Sequence, residues 1–323
     1  MLLGCVPFSF IKNNKQIKKN PIARLVQKSF FLENELNLYS MIRTIPNHKE
    51  HFYIFFEAEK IDYHKLENDS VVSSLLQTTE SVLLHYDPKT FYLLSEVIAF
   101  LETEENAFEY LRFLIMTYQH LLKSMELLNQ YHIVHFVCDE GIGINENFEP
   151  ILIHFEKSLP TTSMKCESII QLFPYIRESC PLEFHILFYL HEHREEVTAL
   201  SKIHIEKILN ELSFSNENKA EAFLFFRKYI NYPLEKIMAH ICNDKISKSW
   251  NLSILNQLIL KHLTKLDPIN PFTKGLKELL LEGCRQDPEK RLTIQETKVR
   301  FEQMCYESDR KDYKEIRFTS SLF

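Results

Sequence analysis

Apolar positions along the chain follow two rhythms, and the change comes near residue 104. Before it the runs are short, aromatic and β-branched. His51-Phe-Tyr-Ile-Phe-Phe-Glu-Ala-Glu59 and Phe91-Tyr-Leu-Leu-Ser-Glu-Val-Ile-Ala99 are bounded by the polar turns Ile45-Pro-Asn-His48 and His85-Tyr-Asp-Pro88, a pattern that predicts strands. Residues 31–43 read as a helix ahead of them. Then Phe108, Leu111, Leu114, Ile115, Tyr118, Leu121, Leu122, Met125 and Leu128 recur at spacings of 3 and 4, one apolar stripe over about six helical turns. The stripe stops at Asn129-Gln-Tyr-His132, and short apolar segments at 133–135 and 149–155 predict a pair of small strands. After Pro160, helix-period positions at 184–192, 202–212, 220–232, 252–263 and 276–281 are separated by breaks such as Asp267-Pro-Ile-Asn-Pro271, and residues 210–217 read as a surface loop. The expected class is α+β: a small β-rich lobe over residues 1–103, a larger, mainly helical lobe over 104–305, and a polar tail over 306–323.

Composition narrows the function. The 323 residues suit two lobes, since single cores stop growing at about 250–300 residues. Only 5 glycines occur where average usage would give roughly 23. They are too scattered for a glycine-rich phosphate loop, so neither a Walker-type loop nor a dinucleotide fingerprint can be drawn. With 38 basic against 44 acidic residues, the net charge of -6 carries no footprint for nucleic acid. Seven cysteines without a Cys-x-x-Cys pair read as free thiols in a reducing compartment. The N-terminal apolar stretch lacks a preceding positive residue, and no segment reaches the ~18 uninterrupted apolar residues of a span. The expectation is an intracellular chain with no membrane partner.

Two stretches carry chemistry in a recognisable order. In the first, the long helix runs into Ile133-Val134-His135, and Ile151-Leu-Ile-His-Phe-Glu156 follows some ten residues after that loop. In the second, Gly275 to Gly283 leads to Asp287-Pro-Glu-Lys-Arg291-Leu-Thr293. Together they resemble the catalytic loop, the Asp-Phe-Gly strand end and the C-terminal helix pair of the eukaryotic protein-kinase superfamily. The resemblance implies a bilobal protein-kinase-like fold. Cys180-Pro-Leu-Glu183 is similar to the family's Ala-Pro-Glu, which implies a Glu183–Arg291 ion pair. Lys248-Ser-Trp250-Asn-Leu252 is similar to the start of its central helix, with Lys248 in place of an aspartate that braces the catalytic loop. The long interval from Glu183 to Trp250 implies an inserted helical block over about 185–245. A Phe- and Asn-rich, glycine-poor chain of this kind resembles the degenerate kinase-like proteins of large nucleocytoplasmic DNA viruses, and if viral it would act in the host cytoplasm or the virion.

Phosphoryl transfer in that family needs a proton-accepting carboxylate, an asparagine and an aspartate on magnesium, and a lysine held by a helix glutamate. His135 matches the loop histidine, but Val137 and Ile142 stand where the catalytic aspartate and the asparagine belong. His154 replaces the magnesium aspartate. Asp139 and Asn145 are displaced candidates for those roles, and Glu156 is a displaced candidate for the metal. Ile22-Ala-Arg-Leu-Val-Gln-Lys28 would be the lysine-bearing strand, with Arg24 or Lys28 as the phosphate cation and Glu33 or Glu35 as its partner. The cluster His185, His191, Glu192, His193 and Glu195 lacks the His-Glu-x-x-His spacing of a zinc helix and reads as a solvated helix end. The resemblance therefore implies a pseudokinase that binds a protein, another kinase or that kinase's substrate. ATP with magnesium is the ligand the family would bring, but with its ligands replaced no cofactor is expected. The alternatives are a divergent Ser/Thr kinase using Asp139, Asn145 and Glu156, and a helical interaction protein unrelated to kinases.

Overall fold

A computed structural model describes residues 23–27, 29–60, 81–87, 91–164, 166–177, 180–212, 214–267, 270–307 and 318. The N-terminal sheet is antiparallel with strand order β1-β3-β2, where β1 is Ala23–Gln27, β2 Phe55–Lys60 and β3 Ser81–Tyr86. Helix α1, Phe30–Ile42, follows β1 directly. The Ser29 hydroxyl starts it by accepting from the Leu32 amide at 3.3 Å. Its faces are divided. Leu32 packs with Phe55, Leu84 and Tyr86 in a small apolar cluster, whereas Leu38 and Ile42 enter the large core of the molecule. A single turn of helix, α2 at His48–His51, leads to Phe52, which bridges to Leu152 of the next sheet.

Residues 91–99, expected as a strand, divide instead. β4 is only Phe91–Leu93, and α3 runs from Leu94–Thr103. The Glu96 carboxylate accepts from the Leu93 amide at 3.0 Å, while Leu94, Val97, Ile98 and Leu101 fall on one buried face. A helical period and a first-turn carboxylate thus override β-branched composition. That face belongs to the large core, so the chain has passed into it before the boundary expected at residue 103.

Helix α4, Ala107–Gln130, is the long amphipathic helix, its buried positions running from Ala107 to Leu128. Phe108, counted in the stripe, is exposed near its start. Next come the short strands β5 (Ile133–Val134), β6 (Ile142–Asn145), β7 (Pro150–Leu152) and β8 (Leu159–Pro160). They pair as β4-β6-β7 and β5-β8, all antiparallel. Gly143 in β6 leaves room for Phe91, since a Cβ there would lie 2.8 Å from the ring.

The rest is helical: α5 (Cys166–Ile176), α6 (Leu182–Glu192), α7 (Lys202–Glu211), α8 (Asn216–Phe226), α9 (Leu234–Ile241), α10 (Asp244–Leu263), α11 (Pro271–Gly283) and α12 (Ile294–Glu307). The loop expected at 210–217 is shorter than that span, because Glu211 still ends α7 and Asn216 already starts α8. Helix α10 is buried on nearly every side, and its sequence is accordingly apolar all round, with small polar residues between. Asn256 on it ties three helices: it accepts from the Tyr118 hydroxyl at 2.8 Å and donates to the Leu280 carbonyl at 3.1 Å. The last helix absorbs Tyr306 and Glu307 from the expected tail, and Phe318 bridges to Leu266 and meets Tyr110 edge-on. Among the described residues no helix is long and apolar enough to cross a membrane.

Candidate functional site

The loops between α4 and β8 hold most of the residues singled out from the sequence. Helix α4 ends where His132 adopts a left-handed conformation (φ 56), and the chain turns into β5. His135 follows, 1% exposed. Its amide donates to Asn251 Oδ1 at 2.8 Å, its Nδ1 lies 2.7 Å from the Ser158 hydroxyl, and its ring stacks on Phe155 at 4.7 Å. Burial pushes its pKa down to about 3, so the imidazole is neutral at physiological pH. Nε2 has no hydrogen-bond partner among the described residues.

Val137 and Ile142 are both buried in hydrocarbon, Ile142 opposite Leu152 in the β6–β7 pair. Neither side chain can accept a proton or hold a cation. Asp139 opens a short 3₁₀ turn, and its carboxylate is taken by Lys261 Nζ and His262 Nε2, each at 2.5 Å. Partial burial works to raise its pKa, but the hydrogen bonds from His262 and Lys261 outweigh it and hold the carboxyl at about 2. Asn145 closes the turn between β6 and β7. Its Oδ1 accepts from the Asn147 and Glu149 amides, both at 2.9 Å, and its amide donates to the Glu149 carboxylate. Asp139 and Asn145 thus sit at opposite ends of β6, each committed to a structural bond.

His154 takes a left-handed conformation (φ 65) with Nδ1 3.2 Å from Glu156 Oε1. Phe155 between them is buried against His135 and edge-on to Phe52. Asn34 of α1 reaches over this segment and donates to the Glu156 carbonyl at 3.1 Å and to the Ser158 carbonyl. Glu35, next to it and also buried, accepts from the Tyr86 hydroxyl at 3.2 Å. Lys28 and the side chain of Arg24 lie outside the described residues. Among those described, no group of three or more His, Cys, Asp or Glu side chains is placed to hold a metal ion.

Glu183, Trp250 and Arg291 come together, although 108 residues separate the outer two. Arg291 donates Nη1 to Glu183 Oε1 and Nη2 to Oε2, both at 2.8 Å, a two-pronged pair with side chains 1% and 0% exposed. Trp250 Nε1 donates to the same Oε1 at 3.0 Å, and Arg291 Nε donates to the Arg285 carbonyl at 2.7 Å. The ion pair is therefore fully enclosed. Lys248 is exposed, and Asn251, one turn on, braces the His135 loop. Asn251 also donates to the Ile133 carbonyl and to Asn129 Oδ1, each at 2.8 Å. The neutral amide of Asn251 thus holds the loop with its donor and its acceptor at once.

His185 stands apart from the rest of the histidine cluster, which lines one small surface hollow. His185 is buried edge-on to Phe173, and burial lowers its pKa to about 4, whereas His191 bonds Arg194 Nη1 at 3.1 Å at the surface. Sequence reasoning missed Asn34, Asn251 and Asn256. The signal was there for two of them: an asparagine inside an otherwise apolar helix must find buried partners. No protein-family model matches the chain, and no curated protein matches it.

Proposed function

We propose that this chain is a degenerate protein-kinase-like protein, a pseudokinase that has lost phosphoryl transfer and acts by binding another protein. The observation that carries the reading is what fills the positions where transfer chemistry would sit. Val137 and Ile142 are buried hydrocarbon, and His154 is an imidazole bonded to Glu156. Phosphoryl transfer there would need a proton acceptor and two magnesium ligands. The enclosed Glu183–Arg291–Trp250 assembly supports the same reading, as does the order of elements, with Glu35 on a helix packed over the Phe155 segment. The divergent-kinase alternative loses ground because Asp139 is already bound by Lys261 and His262.

Two measurements test the proposal. Thermal unfolding with and without ATP, in magnesium, manganese or EDTA, reads nucleotide binding by linkage, and a ligand at about 100 times its dissociation constant adds about 2.7 kcal/mol. The expected result is no shift that requires the divalent ion. Incubation with labelled ATP and generic protein substrates should transfer no phosphate. Transfer by the wild-type chain that Asp139→Asn abolishes would overturn the proposal in favour of an active kinase.

A further inference from the structure

We propose that the groove between Met164, the C-terminal end of α6 and helix α9 docks a basic segment of a partner protein, one that carries arginine or lysine beside an apolar anchor. The inference rests on the reading of this chain as a protein-binding scaffold and supplies the chemistry of what is bound.

The groove has a volume of about 660 Å³, within the roughly 300–1,000 Å³ range of pockets that hold a ligand of drug size. Met164, Leu190, Val197, Leu234 and Met238 form its apolar surface. Two methionines there matter, because unbranched thioether side chains repack around anchors of different shape. Glu167 and Glu235 stand at its edge. A second hollow of about 230 Å³ adjoins it through His191 and Arg194, and adds Glu192, Glu195 and Glu196.

The charges do not cancel. Five glutamates face one guanidinium, since Arg194 is the one lysine or arginine lining either hollow among the described residues. Arg194 itself leans on His191. Lys236, beside Glu235, lies over the Tyr232 ring at 3.8 Å. None of the five glutamates makes an ion pair with a described residue. An apolar floor beside carboxylates that outnumber the cations among the described residues complements a cationic peptide and repels nucleic acid and anionic lipid. The larger groove near Cys180, about 1290 Å³, gives no such indication, because its lining carries as many basic as acidic side chains.

The test uses the full chain and fluorescence anisotropy with a set of labelled peptides. Each carries several arginines beside a leucine or phenylalanine, with one counterpart in which glutamate replaces arginine and another in which serine replaces the apolar residue. The first class is expected to bind, more weakly as salt is raised, and both counterparts to fail. Glu167→Lys with Glu235→Lys should weaken binding by at least about tenfold. Glu195→Lys with Glu196→Lys should weaken it in the same direction, whereas Glu302→Lys, on α12 outside both hollows, should leave it unchanged. These positions are exposed, and unchanged melting temperatures would show that the variants fold. Failure of every basic peptide to bind overturns the groove proposal, as does equal binding of the acidic counterparts or wild-type binding by both double variants. Those outcomes leave the pseudokinase reading standing. Phosphate transfer by the chain would overturn that reading and leave the peptide measurements as they are.

Discussion

Truncating Arg291 to alanine removes four donated hydrogen bonds at once. Glu183 loses both prongs of the fork, the Arg285 carbonyl loses its Nε donor and Ser249 loses a contact at 3.2 Å. The Glu183 carboxylate, 0% exposed, would keep Trp250 Nε1 as its donor but no counter-charge. Stranding a buried charge in this way costs about 3–5 kcal/mol. For a chain of this size that corresponds to a fall in melting temperature of about 4–7 °C. Removing both charges, as Glu183→Gln with Arg291→Met, should cost clearly less than the two single changes added together, by about 2 kcal/mol or more. The chain contains one tryptophan, Trp250, in contact with the pair, so its fluorescence during urea unfolding reports on this site directly. A single-variant loss below about 1 kcal/mol, or strict additivity in the double variant, would refute the argument that an enclosed charge pair holds α6 to the C-terminal turn.

Three further predictions concern other bonds. Gly283→Ala, which in an exposed helix would stabilise by about 1 kcal/mol, should destabilise here, because the new Cβ would meet Asn256 Nδ2 at 2.1 Å; calorimetry gives the sign. His135 and His185 are held below their ordinary 6.5, at about 3 and about 4, so below pH 6.5 the unfolded chain takes up protons that the folded chain refuses. Stability is then complete above pH 6.5 and falls toward pH 4, and His135→Gln should reduce the slope in that window by about 1.4 kcal/mol per pH unit. Asp139, held at about 2 against an ordinary 3.8, contributes stability that is present above 3.8 and lost as the pH falls through about 2. Asp139→Asn should therefore cost about 2 kcal/mol at neutral pH and almost nothing near pH 2, measured by urea unfolding at each pH.

The elements that were legible in the sequence are those whose information is local or repeated. The stripe from Leu111 to Leu128 declares α4 because nothing but a helix brings those side chains to one face. Glu183, Trp250 and Arg291 were legible as a set through resemblance, and their geometry is a fork with a third donor. Residues 94–99 read as strand because Val97 and Ile98 favour strands in isolation, while the decision lies with the Glu96 cap and packing against α4. The asparagines were missed for a different reason. Asn251 meets His135 across 116 residues and Asn34 meets Ser158 across 124, so even where an apolar helix signals that an asparagine needs buried partners, no window of sequence names them. The glutamate-rich groove was likewise invisible, because Glu167, Glu196 and Glu235 come from three distant segments.

Helix α1 spans the small cluster and the large core with side chains only six residues apart, Leu32 in one and Leu38 in the other. A beam embedded in two walls cannot serve as a hinge. Sliding it by even one turn, about 5.4 Å, would pull leucines out of both clusters and break the Asn34 bonds to the Glu156 and Ser158 carbonyls. Helix α1 therefore couples the sheet's cluster to the large core, so that a displacement of its leucines in one is felt in the other.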